Sequence, residues 1–268
     1  MTQFRDPAWM FILAVLIESF WGCGSSSVEK RTEAAPSTIA STLQVATLNL
    51  SSLNRRLERK DVTQLAKILR REQVDIVAVH GITRYPNVST RIDFVKELSA
   101  QTDMRNVFGE MVNNSGRQTG NAVFSTYPIL SNHNQPFDGV KSASFEAALQ
   151  TTIDGGASSV TVVSALLPSK VTAEDEAKCL RMIAALNPDE NPMPMVVAGN
   201  LPASESARVQ YGFSDAATLL AGRKPDGVSV WYSGNGLFRP MSTRAIQTDL
   251  GPLLVAQFGL YRRPAAEK

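Results

Sequence analysis

Short apolar segments alternate with amphipathic helical patterns between residues 43 and 258, and this alternation limits the possible folds more than any other feature of the sequence. Three segments have helical patterns. The first covers residues 60–72, the second begins with a capping box at residues 90–93, and the third covers residues 172–186 and begins with a capping box at residues 172–175. Strand-like segments occupy residues 43–50, 75–79, 120–125, 144–153, 159–167, 195–198, 228–232 and 252–258. Such alternation predicts a single α/β domain with mixed sheets.

The composition excludes several classes of protein. The chain has 27 Lys and Arg against 25 Asp and Glu, and this net charge of +2 gives no strong attraction for nucleic acid or anionic membranes. Two Cys are too few for a disulfide scaffold. Cys179 shares a helical pattern with Ile183 and Leu186, which predicts a core thiol rather than a nucleophile.

The N-terminal segment has the pattern of a targeting signal. Residues 8–17 are an unbroken apolar run, shorter than the about 20 residues that span a bilayer but typical of the centre of a secretory signal. The Gly22-Cys23 pair that follows resembles the lipobox of bacterial lipoproteins, although Phe20 and Trp21 depart from the usual residues. The resemblance implies that Cys23 is lipidated and becomes the new N-terminus. The alternative is a buried N-terminal helix with an incidental Cys.

The organisation that follows has four parts. Residues 1–22 are a signal peptide, and residues 23–41 are the lipidated Cys with a polar, Ser- and Ala-rich flexible tether. Residues 42–261 are the folded domain, and residues 262–268 are a C-terminal tail. We therefore expect a lipid-anchored protein of the bacterial cell envelope, at the outer membrane or the periplasmic face rather than in the cytoplasm.

Short motifs stand where the predicted strands end, and their order along the chain is informative. They are Thr47-Leu48-Asn49, His80-Gly81, the GNAVFSTYPI stretch at 120–129, Gly199-Asn200-Leu201-Pro202, residues 213–216, residues 225–228 and Thr248-Asp249-Leu250. In this order and spacing they resemble the endonuclease/exonuclease/phosphatase superfamily, which includes deoxyribonuclease-like enzymes. The resemblance implies two packed mixed β-sheets flanked by helices, a four-layer α/β sandwich, with a site where strand ends converge.

The superfamily hydrolyses phosphate esters with a divalent metal and an imidazole, and this sequence lacks several of the groups involved. Gly81 stands in place of the metal-binding Glu of the family, and Leu166 and Leu250 stand in place of its two His. Asn200 and Pro202 stand in place of the Asp and Asn of its G-D-F-N motif. Since general acid–base catalysis is typically worth about 10²–10⁴-fold, these replacements predict that the catalytic site is not intact.

Three functional positions of the family are retained: Asn49, Asp226 and Asp249. We expect no bound metal, but if a site has been rebuilt, these three would hold Mg²⁺ or Mn²⁺, with Asn200 and His80 as helpers. The simpler alternative is that Asp226 and Asp249 bond to backbone amides or to a nearby cation such as Lys224 or Arg244.

The basic cluster after the first strand, Arg55 and Arg56 with Arg59 and Lys60, is a candidate for phosphate contact by the same resemblance. A solvated beginning of a helix is the simpler interpretation, because acidic residues dilute the cluster and no aromatic residues interleave it. These features argue against nucleic acid as the partner.

Two functions remain open. The first is a non-catalytic, envelope-anchored member of the superfamily that binds or scaffolds an unidentified protein or other envelope component. The second is a divergent divalent-metal-dependent phosphodiesterase or phosphatase that uses a rebuilt site. The sequence names neither a substrate nor a partner.

Overall fold

The computed structural model of the chain describes residues 39–85, 88, 91–140, 146–167, 172–187, 193–234, 236 and 238–261. Its strands are β1 (Ile39–Asn49), β2 (Ile76–Arg84), β3 (Arg105–Asn114), β4 (Arg117–Ser125), β5 (Ile129–Pro136), β6 (Ala147–Asp154), β7 (Ser159–Leu166), β8 (Met195–Asn200), β9 (Ser214–Asp215), β10 (Ser229–Ser233), β11 (Phe238–Thr248) and β12 (Gly251–Tyr261). Its α-helices are α1 (Arg59–Arg71), α2 (Phe94–Thr102), α3 (Ala173–Ala184) and α4 (Glu205–Gln210).

The strands form two six-stranded mixed sheets. Sheet A has the order β11-β12-β1-β2-β4-β3, and sheet B has the order β5-β6-β7-β8-β10-β9. Each sheet contains one parallel pair, β1 with β2 and β7 with β8, and the remaining neighbours are antiparallel. In these pairs Asn49 lies opposite His80, and Leu166 lies opposite Asn200. The parallel pairs therefore place four of the sequence-predicted site residues where each parallel pairing ends.

Three apolar cores separate four layers, and the alternation of side chains along β1 shows how they arise. Leu43 and Val45 point towards sheet B, whereas Ala46 and Leu48 point towards the helices α1 and α2 on the outer face of sheet A. A third core joins the outer face of sheet B to α3 and includes Leu180. Two mixed sheets between helices confirm the four-layer α/β sandwich expected from the sequence.

Two local expectations were wrong. Helix α2 begins at Phe94 rather than near residue 90, because the Asp93 carboxylate accepts hydrogen bonds from the backbone N–H groups of Val95 and Lys96 and so caps the helix there. The polar stretch ending at Pro136, for which the sequence predicts no strand, is the edge strand β5. Its outward-facing residues meet solvent, so it lacks the apolar alternation that predicts a strand.

The N-terminal signal and Cys23 lie outside the described residues. Strand β1 begins at Ile39, within the segment expected to be tether. In the part of the chain that the structure describes, no helix has the length and apolarity needed to cross a membrane.

Candidate functional site

Asn49, at the end of β1, makes three side-chain hydrogen bonds within the protein. Its Nδ2 donates to the carbonyl oxygen of Gly227 at 3.2 Å, which ties the loop before β10 to sheet A. Its Oδ1 accepts from the backbone N–H of Ser51 at 2.9 Å and from the Ser51 hydroxyl at 2.7 Å. An amide oxygen has two lone pairs, and both are engaged here. Asn49 is therefore a structural tie between the two sheets.

Gly81, which the sequence comparison places at the metal-binding Glu of the family, is enclosed by backbone atoms of Ser51. Gly81 has a φ of +66°, in the left-handed region that favours glycine. A Cβ atom on Gly81 would lie 2.6 Å from the Cβ and 2.7 Å from the backbone N of Ser51. Because Asn49 holds Ser51 in this place, the two former site positions now support each other in a geometry without room for a carboxylate.

His80 is completely buried between the sheets and does not reach the surface. Its Nε2 lies 2.8 Å from the Thr47 hydroxyl on β1, and its Nδ1 lies 3.0 Å from the Ser164 hydroxyl on β7. Burial lowers the pKa of His80 from 6.5 to about 3, so the imidazole is neutral at ordinary pH. The expectation that His80 assists a site in the cleft is therefore wrong, and this His links sheet A to sheet B.

The two retained Asp side chains face solvent. Asp226 is 93% exposed, and its carboxylate forms an ion pair with Arg223 at 3.7 Å. Asp249 is exposed in the turn between β11 and β12. Neither is enclosed in a way that would concentrate its charge on a metal.

The cations expected to neutralise these Asp residues are paired elsewhere. Lys224 contacts Asp215 at 2.7 Å, and Arg244 contacts Glu72 at 3.0 Å. The sequence could not reveal these pairs, because β9 and β11 were not predicted and the partner of Arg244 lies at the end of α1.

The remaining replaced positions are part of the framework. Leu250 is buried in the core between sheet A and its helices. Leu166 is half-buried opposite Asn200, whose carbonyl oxygen accepts from the backbone N–H of Leu167 at 3.0 Å. Pro202 is exposed immediately after the buried Leu201. These residues offer apolar surface or backbone atoms where the family chemistry needs acids, bases and metal ligands.

The side chains present do not fit a Mg²⁺ or Mn²⁺ ion. Mg²⁺ binds through carboxylates with near-octahedral geometry. Among the described residues, no group of three or more His, Cys, Asp or Glu side chains is arranged to hold a metal. The amide oxygen of Asn49 is already used twice.

The second His of the chain, His133, and the core thiol Cys179 lie away from this region. His133 is exposed on β5, with its Nε2 3.3 Å from Oε1 of Gln135. Cys179 is buried on α3, and burial raises the pKa of its thiol to about 11, as expected for a core thiol.

A basic pocket of about 240 Å³ opens beside Gly81. Its walls come from the β1–α1 loop, the end of β2, the residues just before α2 and the first residue of β4. The Arg residues that line it are Arg55, Arg56, Arg91 and Arg117. Sequence analysis singled out the first two and missed Arg91 and Arg117, because the β3–β4 hairpin and the α2 N-terminus bring together residues that are far apart in the chain.

Arg55 is the only one of these four Arg residues with an acidic partner among the described residues. It contacts both carboxylate oxygens of Asp61, at 2.6 and 2.9 Å, and the Asp61 side chain is only 2% exposed. The hydrogen bonds from Arg55 lower the pKa of Asp61. Acidic residues also pair with Lys60, which contacts Glu58 at 2.8 Å, and with Arg59, which contacts Glu97 at 3.5 Å, so dilution of the cluster leaves Arg56 without an acidic partner among the described residues.

Comparison with known proteins rests on structure. No protein-family model matches the sequence, and no curated protein sequence matches it either. An endonuclease/exonuclease/phosphatase from Beutenbergia cavernae superposes with a TM-score of 0.64 at 18% identity, covering 84% of this chain and 73% of that one. An endonuclease/exonuclease/phosphatase from Bacteroides vulgatus superposes with a TM-score of 0.65 at 11% identity, covering 82% of this chain and 99% of that one. The chain has the endonuclease/exonuclease/phosphatase fold.

The same fold occurs in D. rerio TDP2, whose structure in complex with a single strand DNA product superposes with a TM-score of 0.61 at 12% identity, covering 82% of this chain and 99% of that one. At these identities the likeness shows the architecture alone. What this chain does with the endonuclease/exonuclease/phosphatase fold must be argued from its own side chains.

Proposed function

We propose that this protein is a non-catalytic binding protein that uses the endonuclease/exonuclease/phosphatase fold without its hydrolytic chemistry. The observation that carries the proposal is the arrangement of Asn49, Ser51 and Gly81. The strand ends that would hold a metal and a water are instead locked to each other by hydrogen bonds and a close backbone approach.

Two further observations support a binding role. The imidazole nearest this region, His80, is buried and neutral, so it has no access to an incoming substrate. The retained carboxylates of Asp226 and Asp249 are exposed, and water screens their charges. The basic pocket beside Gly81 is therefore the region we assign to binding.

The location that we propose is the bacterial cell envelope, at the outer membrane or the periplasmic face, with acyl chains on Cys23. The support is the apolar run at 8–17, the Gly22-Cys23 pair and the polar segment that follows. Mass spectrometry of the mature chain tests this proposal. We expect an N-terminus at Cys23 that carries acyl groups, and an intact Met1 or an unmodified Cys23 would contradict it.

The catalytic alternative, a divergent metal-dependent phosphodiesterase or phosphatase, is tested by hydrolysis of bis(4-nitrophenyl) phosphate and single-stranded DNA in Mg²⁺ and in Mn²⁺. The proposal predicts no turnover above that of buffer. Turnover that requires the metal, that Asp249→Asn abolishes and that the exposed control Asp138→Asn preserves would overturn it.

A further inference from the structure

Helices cover the outer face of sheet A over only part of its length. The core between sheet A and its helices includes Leu253 and Val255 of β12. This cover ends where Glu72, at the C-terminus of α1, contacts Arg244 on β11 at 3.0 Å. Beyond that contact, the first residues of β1 and of β11 lie beside the last residues of β12.

We call the outward-facing side chains of these three strand segments the chain-entry face. The segments are residues 39–42, 239–242 and 257–261. The name reflects the position of Ile39, the first residue of β1, through which the N-terminal segment joins the domain. The face is an uncovered corner of sheet A, at the end of β1 that lies opposite Asn49.

Two large apolar side chains are exposed on the chain-entry face, and they meet over one glycine. Ile39 is 40% exposed and Met241 is 46% exposed. A Cβ atom on Gly259 would lie 3.5 Å from Cδ1 of Ile39 and 3.5 Å from Sδ of Met241, so both side chains lie across the backbone of Gly259. They therefore form one apolar patch in place of two separate exposed residues.

A cation with a defined position borders this patch. The guanidinium Cζ of Arg239 lies 5.6 Å from the centroid of the Tyr261 ring, and this cation–π contact orients it on the outer face. The three segments contain no Asp or Glu, and Arg262 and Arg263 follow Tyr261 directly in the sequence. Apolar side chains combined with Tyr and basic residues are typical of surfaces that lie at a membrane–water interface.

The connection to the N-terminal segment indicates what the chain-entry face meets. Residues 24–38 join Cys23 to Ile39, and this length of chain reaches at most about 55 Å even when fully extended. With acyl chains on Cys23, the chain-entry face is held near the bilayer. A short linker of this kind gives an effective concentration of about millimolar, so a weak attraction is enough to dock the domain.

From these observations we infer that the chain-entry face docks the domain on the surface of an anionic phospholipid bilayer. Ile39 and Met241 enter the headgroup region, and Arg239 faces the lipid phosphates. This inference rests on the proposed lipid anchor at Cys23. Asn49 lies at the other end of the 11-residue strand β1, about 33 Å away at about 3.3 Å per residue, so the region assigned to binding points away from the bilayer and remains open to a partner.

A fluorophore at residue 241 tests the docking. The variant Met241→Cys is purified with its anchor from membranes, labelled with a thiol-reactive nitrobenzoxadiazole group and placed in vesicles of phosphatidylcholine and phosphatidylglycerol. Cys179 is buried, and an acylated Cys23 has no free thiol, so the label goes to residue 241. We expect brighter emission at shorter wavelength than in detergent-free buffer. The matched control Leu130→Cys labels a side chain that is 57% exposed on β5, and its emission should stay that of a label in water.

The charge is tested in the same labelled protein. Arg239→Gln should lower the ratio of docked to undocked domain about fivefold, since one basic residue near an anionic bilayer contributes about that factor. The control Arg223→Gln removes a charge at an 88% exposed side chain outside the chain-entry face and should leave the ratio unchanged. Vesicles of phosphatidylcholine alone should lower the ratio at least as much as Arg239→Gln does.

Flotation of the vesicles separates this inference from the proposed anchor. Protein that floats with the vesicles while the label at residue 241 reports water would overturn the docking and leave the anchor intact. An equal spectral change at residue 130 would overturn the assignment of the face. Protein that does not float with the vesicles would overturn both the anchor and the docking.

Discussion

Replacement of Gly81 by Ala tests whether the former metal position is closed as the structure indicates. The added Cβ would lie 2.6 Å from the Ser51 Cβ and 2.7 Å from the Ser51 backbone N, so backbone must shift and not only a flexible side chain. A left-handed conformation costs a residue other than glycine about 1–2 kcal/mol, and overpacking adds about 1–3 kcal/mol. We therefore expect Gly81→Ala to reduce the free energy of unfolding by about 2–5 kcal/mol.

The matched control is Gly116→Ala in the β3–β4 turn. Gly116 also has a positive φ, +85°, but a Cβ there meets nothing within 4 Å. This variant should lose only the conformational part, about 1–2 kcal/mol. Urea unfolding followed by tryptophan fluorescence measures both, because Trp231 is buried and its emission should shift on exposure. Equal losses of unfolding free energy in the two variants would refute the reasoning, because Ser51 would then not fill the space that a side chain on residue 81 would need.

Three further predictions concern side chains that the structure buries. The pKa of His80 is about 3 in the native state and 6.5 in the unfolded state, so the native state binds fewer protons between these pH values. The neutral, buried imidazole therefore contributes its full stabilisation above pH 6.5. This contribution, up to about 5 kcal/mol of unfolding free energy, is lost as the pH falls towards 3. Urea midpoints measured against pH should decline over this window, and His80→Gln, which does not titrate, should give a flatter profile; parallel profiles would show that His80 is not buried as described. Asp61→Asn should reduce the free energy of unfolding by about 1–3 kcal/mol, because it weakens the contacts with Arg55. The control Asp226→Asn changes a side chain that is 93% exposed, and it should alter the free energy of unfolding by less than about 0.5 kcal/mol in the same urea assay. Cys179, buried and with its pKa raised to about 11, should react with a thiol reagent at pH 8 only after denaturation, and rapid reaction of the native protein would contradict its place in the core.

The fold was predictable where burial leaves a pattern in the sequence. The central strands β1, β2 and β8 are buried on both faces and appear as continuous apolar runs, and α1 shows one apolar stripe because it covers only one face of sheet A. The edge strands β3 and β5 were missed because exposure on one side removes that pattern. Helix α4 has no buried residue, so it carries no stripe at all.

The sequence identifies the residues at the expected site positions but not how they pack. The absence of a carboxylate at Gly81 can be read directly from the sequence, whereas the enclosure of this position by Ser51 depends on the hydrogen bond that the Ser51 backbone N–H donates to Asn49. Burial of His80 depends on the packing of sheet B over sheet A, which local sequence does not encode. The basic pocket depends on tertiary structure for the same reason, because Arg91 and Arg117 reach it only through the hairpin and the start of α2.

Calorimetric titration of Mg²⁺ and of Mn²⁺ into the purified protein tests the central claim, that the metal chemistry of the fold is gone, most directly. The account predicts no saturable heat of binding with either ion. The amide oxygen of Asn49 already accepts two hydrogen bonds from Ser51, and the carboxylates of Asp226 and Asp249 face solvent. Binding of one ion per chain that the double variant Asp226→Asn/Asp249→Asn abolishes would mean that a metal site has been rebuilt, and it would contradict the account.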